Sequence, residues 1–140
     1  MKLTLDKASI IVDQTLAKAR ELKFRPMCVA VLDEGGHLKA LKREDGASLL
    51  RPQIAFGKAW GTLGMGESSR QLGERLKDRP SFLGSLSTMS GGKVVPVPGG
   101  VLILQDDEII GAVGVSGGTS DEDETCAIEG IRAANLDFKV

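Results

Sequence analysis

Two pairs of apolar runs, each joined by a turn too short for a crossover, restrict this chain more than any other feature. Residues 27–33, "MCVAVLD", and residues 37–43, "HLKALKR", are separated only by "EGG". Residues 100–105, "GVLILQ", and residues 109–117, "IIGAVGVSG", are separated only by "DDE". A parallel neighbour needs a connection of a dozen or more residues, so both pairs read as antiparallel hairpins. "MCVAVLD" is apolar on both alternating sets, as in a central strand covered on two faces. "HLKALKR" alternates instead, with Leu38 and Ala40 on one face and His37, Lys39 and Arg43 on the other. Gly111 and Gly114 in the fourth run mark bulges or close backbone approach.

Helical periodicity fills the rest of the chain. Leu5, Ala8, Val12, Leu16, Ala19 and Leu22 recur at helical spacing over residues 4–23. "FRP" ends that helix, because Arg25 before Pro26 is driven out of the helical region. Ser48 is placed to cap a second helix with Pro52 in its first turn, and Phe56, Ala59, Trp60 and Leu63 form its core-facing stripe. Gly57, Gly61 and Gly64 form another stripe on the same helix, each costing roughly 0.8–1 kcal/mol relative to alanine. Three on one face imply a body close to the backbone: an internal packing partner, a second subunit or a flat ligand.

Residues 68–79 read as a short helix opened by Ser68 or Ser69. Residues 80–100, rich in Gly, Ser and Pro, read as a long irregular segment. The last helix starts with Ser120 as cap and Asp123 closing a capping box, and Ala127, Ile131 and Ala134 supply its inner stripe. The order helix, hairpin, helices, loop, hairpin, helix predicts one mixed α/β domain of the α+β kind over residues 1–140. Its sheet is mainly antiparallel and covered by helices. The strand–helix alternation of doubly wound folds is missing.

Composition removes several function classes. Aromatics are 4% of the 140 residues and the net charge is −1, so neither a stacking platform nor a basic face for nucleic acid is expected. "MKLTLDKASII" lacks the apolar core of a signal peptide, and no window has the 18 or more apolar residues of a spanning helix. The expectation is a cytoplasmic chain without a membrane partner. Cys28 and Cys126 lie in apolar contexts with no CxxC, which reads as two buried hydrophobes.

"GVSGGTS" precedes a helix, where anions are attracted, but the carboxylates of "SDEDE" fill that first turn and repel a phosphate. The acidic run reads as a capped, solvated helix start. Cysteine and histidine total three residues, scattered along the chain, which is poor material for zinc. A nucleophilic triad would need His37, the one histidine, and no GxSxG accompanies it. One chemistry needs a single imidazole: axial ligation of haem or a similar tetrapyrrole. Composition alone makes His37 a surface hydrogen-bonder at a turn. Met89, in "STMSGG", has no motif behind it and reads as a loop or interface residue.

"VAVLDEGGHLKALKREDGA", then "IAFGKAWGTLGMGESS", then "PVPGGVLILQDDEIIGAVGVSGGTSDEDE" and a closing Ala-rich helix resemble, in that order, the GlcG/HbpS-like family. That family also includes the C-terminal domain of the PduO adenosyltransferases. The resemblance covers almost the whole chain. It implies a profilin-like fold, a five-stranded antiparallel sheet flanked by helices, assembled as homo-oligomers of two or more chains. Some members bind haem, some are described as haem-degrading or redox-sensing, and others accompany glycolate or propanediol utilisation. The family's D-x-G-G-H feature corresponds to Asp33, Gly35, Gly36 and His37. The roles of leader-bearing secreted members and of the attached adenosyltransferase domain are not expected here.

The leading expectation is therefore a small oligomeric ligand-binding protein for haem or a related tetrapyrrole. His37 would be the metal ligand, and Lys39 and Arg43 would pair with propionates or another carboxylate. The alternative is an accessory protein or enzyme acting on a small organic acid, with Arg43 or Lys58 holding the carboxylate and His37 as acid/base. A third reading is an interaction module whose glycine-faced helix builds the oligomer.

Overall fold

A computed structural model describes residues 2–140. Its elements are α1 (Leu5–Glu21), β1 (Cys28–Asp33), β2 (Leu38–Arg43), α2 (Arg51–Met65), α3 (Ser69–Leu76), α4 (Pro80–Met89), β3 (Gly100–Gln105), β4 (Glu108–Ser116), α5 (Ser120–Ala133) and β5 (Asp137–Lys139). Both expected hairpins form. The second closes on Asp106 and Asp107, whose φ values of 50° and 66° suit a two-residue turn between twisted strands. All strand pairs are antiparallel and the sheet order is β2-β1-β4-β3-β5. The α+β architecture with a five-stranded antiparallel sheet is as expected, although β5 itself left no signal in the residue pattern.

Alternation along the strands sorts the core into two sides. Val29, Val31, Val101, Ile103, Val113 and Val115 pack with Ile11 and Val12 of α1 and Ala127 and Ile131 of α5. The intervening residues face α2: Cys28 and Ala30 meet Ala55, while Leu32 and Ala112 meet Ala59. This is the double coverage that the continuous apolar run of β1 predicts. Beyond α2, Leu72, Leu76 and Leu86 join α3 to α4 in a satellite cluster.

The residues of α2 that reach the sheet are small. Ala55, Ala59 and Thr62 are fully buried, whereas Phe56, Trp60 and Leu63 are only partly buried along its flank. The cause lies opposite, at Gly114 of β4, where an added Cβ would run into the Ala55 carbonyl oxygen and come within 2.8 Å of the Ala59 nitrogen. A helix seated that low on a sheet has no room for large side chains beneath it.

Four expectations are corrected. Residues 80–89 form α4 rather than loop. Pro80 occupies the first turn, where its missing N–H is harmless, and Leu86 packs on Leu72 and Leu76. Helix α2 begins after Leu50 with no side-chain cap, and the Ser48 hydroxyl instead accepts from Arg51 Nε at 3.1 Å. The capping box of α5 is shifted by one residue: Thr119 and Glu122 make it, not Ser120 and Asp123. Helix α1 ends before Arg25, at Lys23 with φ 59°, where Phe24 N–H donates to the Ala19 carbonyl at 3.0 Å.

Candidate functional site

The turn between β1 and β2 is built around Asp33. Its Oδ1 accepts from the backbone N–H groups of Gly35 and His37, both at 3.0 Å. Gly36 N–H donates to the Asp33 carbonyl at 3.0 Å, and Asp33 N–H donates to the His37 carbonyl at 2.9 Å. Gly36 has φ +80°, a conformation that favours glycine, and a Cβ there would stand 3.3 Å from Trp60 Nε1. The turn is thus tied internally by one carboxylate and backed by an indole from α2.

His37 projects from this frame. Its ring lies over Gly35, where a Cβ would meet Cδ2 at 3.0 Å and Nε2 at 3.2 Å. Among the described residues the ring has no hydrogen-bond partner, so both nitrogens are open to a ligand. It lines a hollow of about 340 Å³ with Leu3, Ile110, Asp33, Glu34, Lys2 and Lys39. Leu3 and Ile110 are nearly fully buried and form an apolar floor. Lys2 and Lys39 supply two cations, and one oxygen of Asp33 is already committed to the turn.

Lys39 lies in a β-bulge. The register passes from Val31–Ala40 to Leu32–Leu38, leaving Lys39 as the extra residue. Ala40 packs with the α1–α5 side of the core, while Leu41, one residue on, packs on Cys28, Ala30 and Ala55. The expected shared face of His37, Lys39 and Arg43 is therefore broken. Arg43 pairs in register with Cys28 and donates from Nη1 to the Ala47 carbonyl at 2.9 Å. It lines a different hollow, with Leu16, Arg20 and Pro26, at the far end of the strand.

Lys58, offered by the sequence as a carboxylate holder, is 2% exposed. Its Nζ donates to Asp123 Oδ2 and to the Val115 carbonyl, both at 2.9 Å, and Asp123 Oδ1 accepts from Gly118 N–H at 2.9 Å. Burial pushes Lys58 below its ordinary pKa and Asp123 above its own, each opposed by the charge of the other. The pair joins α2 to the start of α5 on the opposite side of the sheet. Asp123 is not part of a solvated acidic run, and Lys58, with two of its three N–H donors held by the protein and only 2% exposed, is shut away from a substrate. Sequence reasoning missed this pair; its only signal was a lysine inside the small and apolar stretch "AFGKAWG".

The remaining candidates fall outside the hollow. Cys28 and Cys126 are unpaired, fully buried thiols, pushed by desolvation up to about 11 and about 12. Gly57 and Gly61 are covered from within the chain. A Cβ at Gly57 would meet Val95 Cγ2 at 2.7 Å, and one at Gly61 would meet Val94 Cα at 3.4 Å. Gly64 faces the Trp60 ring. Met89 is 76% exposed at the end of α4. Among the described residues, no group of three or more His, Cys, Asp or Glu side chains is placed to hold a metal ion, and no helix is long and apolar enough to cross a membrane.

This is an α+β domain with one antiparallel sheet between helical layers and a turn-mounted imidazole at the sheet's end. Residues 3–132 match the family model described as "Haem degrading protein HbpS-like", and the chain belongs to that family. It is 34% identical over 114 residues to protein GlcG of Escherichia coli K12, covering 81% of each. It is 29% identical over 125 residues to an uncharacterized 15.0 kDa protein of Citrobacter freundii encoded between dhaT and dhaS, covering 89% of this chain and 87% of that one. It also matches the corrinoid adenosyltransferase PduO of Citrobacter freundii at 26% identity, spanning only 40% of that protein's length. Among solved structures, a PduOC:heme complex superposes with a TM-score of 0.89 at 26% identity, covering 100% of both chains.

Proposed function

We propose that this protein binds haem or a related tetrapyrrole in the hollow beside the β1–β2 turn, with His37 as axial ligand and Lys39 pairing with a carboxylate of the ligand. The observation that carries this reading is the end-to-end likeness to a chain solved with haem, joined to an imidazole whose ring nitrogens have no partner. The donor set fits the group. A nitrogen ligand shares the hollow with Leu3 and Ile110, and Lys2 and Lys39, beside the carboxylates of Asp33 and Glu34, supply the cations for propionates. Bound haem would supply redox chemistry at iron. The chain's own part is to hold the macrocycle, orient the imidazole through Asp33 and cover one face of the ring. Arg43, in its separate hollow, takes no part in this site.

Haemin titration tests the proposal. Saturable binding with a shifted Soret band at one haem per chain is expected, and His37→Ala should change that band and weaken binding at least tenfold, about 1.4 kcal/mol. Absence of saturable binding overturns the whole reading; an unchanged band in His37→Ala removes His37 from it.

We further propose that the chain works as a homo-oligomer. Leu49, Leu50, Leu38 and Met89 are 85%, 61%, 52% and 76% exposed, and β2 is an edge strand with one unpaired side. Light scattering should give a mass of two chains or more; a monomer at micromolar concentration contradicts this.

A further inference from the structure

On the α2 side of the sheet, away from the His37 hollow, lies a second cavity whose lining is of a different kind. It measures about 230 Å³ and is walled by Trp60, Met65, Leu86, Met89, Ser90 and Val94, with Gly61 and Gly64 of α2 adding no side chain of their own. No charged side chain lines it. Beside it, the Lys93 ammonium stands 5.5 Å from the centroid of the Trp60 ring. Lys93 is exposed and makes no ion pair among the described residues, and its backbone N–H donates to Ser90 Oγ at 3.1 Å, which ties the main chain at Lys93 to a residue of the cavity wall. Lys93 also lines the neighbouring hollow beside Leu41 and Phe56.

We propose that this cavity is a binding site for a small amphiphilic carboxylate, with the apolar chain against Trp60, Met65 and Leu86 and the carboxylate on Lys93. The chemistry of the walls selects the class. An apolar, glycine-floored recess rejects a charged or strongly hydrated body, which would lose its water without compensation. An unpaired ammonium at the edge attracts an anion and disfavours a cation. Size limits the occupant: about 230 Å³ suits a short alkyl chain and not a macrocycle. Exposure of Met89 leaves a flexible thioether as the outer wall, able to adjust to different chain shapes. The lining of this site does not include His37, although Trp60 also backs the β1–β2 turn at Gly36.

Trp60 is the one tryptophan in the chain, so it reports on the site directly. Titration of the intact protein with sodium octanoate should shift Trp60 emission to the blue in a saturable manner. Octylammonium should bind at least about fivefold more weakly. Lys93→Met, a change at the protein surface, should weaken octanoate by a similar factor and leave octanol binding unchanged. In methyl-labelled protein, the Met65 and Met89 signals should move during the titration while Met27, in the core, stays still. His37→Ala should bind octanoate as the parent does, which separates this site from the haem reading. Any of three results overturns the proposal: no saturable change below octanoate's aggregation range, octylammonium binding as tightly as octanoate, or an unaffected Lys93→Met.

Discussion

Replacing Lys58 by methionine should be among the most damaging single changes outside the apolar core. Lys58 and Asp123 each keep only 2% of their surface in contact with solvent. Methionine fills much of the lysine stem but removes the ammonium. Asp123 then keeps one bond, from Gly118 N–H, and the Val115 carbonyl loses its side-chain donor. Breaking a buried pair by deleting one partner costs about 3–5 kcal/mol, because the other charge stays uncompensated. Against a typical total of roughly 5–15 kcal/mol, that is at least about a fifth of the stability. For a domain of this size it lowers Tm by roughly 9–20 °C at about 3–4 °C per kcal/mol. Adding Asp123→Asn removes the stranded charge and keeps an acceptor for Gly118, so the double variant should recover about 2 kcal/mol relative to the sum of the singles. Acidity supplies a signed check. In Lys58→Met the Asp123 pKa lies above its unfolded value, so the folded state holds the proton more firmly. Stability should then rise as pH falls towards the ordinary carboxylate range, by up to about 1.4 kcal/mol per pH unit. Urea unfolding of the parent, both singles and the double measures all of this. A loss below about 1 kcal/mol, or additive singles, would show that water reaches the pair and that it does not clamp α2 to α5.

Thr15 sits fully buried where α1 crosses α5 at Gly130, and its hydroxyl has no hydrogen-bond partner. Thr15→Val should therefore raise stability by about 1 kcal/mol, and a loss in thermal unfolding would show that the hydroxyl has a partner after all. Gly36→Ala forces a side chain into a left-handed conformation and against Trp60, so it should cost about 1–2 kcal/mol and alter Trp60 emission; unchanged emission would remove the contact between turn and helix. Alkaline pH should weaken the fold through the two thiols. Their folded pKa values, about 11 and about 12, exceed the ordinary value of 9.0, so unfolded chains lose those protons first. Stability is fully present below pH 9 and falls above it, by up to about 1.4 kcal/mol per pH unit for each thiol, and Cys126→Ala should reduce that slope in a pH series of urea melts.

The hairpins were legible because two short turns leave no other way to connect apolar runs, and the Asp33–His37 turn was legible for the same reason. Helix α4 was not. Ser81, Gly84, Ser85, Ser87 and Thr88 are poor helix formers, and the helix is held by Leu86 against residues ten and fourteen positions back, a contact that local propensity does not report. The three residues of β5 pair with β3 from more than thirty positions away and carry no alternation of their own. A one-residue error in the capping box hid the role of Asp123: Ser120 and Thr119 are both good caps, and only the fold decides which carboxylate turns inward. Strand β2 shows the same sensitivity. One bulged residue, Lys39, parts His37 from the face of Arg43, and strict alternation cannot register it.

The chain has one histidine, and labelling it with nitrogen-15 reduces the question of function to two imidazole resonances. Ligation of ferric haem predicts that both leave their diamagnetic positions in proportion to the haemin added, reaching completion at one equivalent per chain. If haemin saturates the protein while those resonances stay sharp and unmoved, the iron is not on His37 and the account of this hollow is wrong.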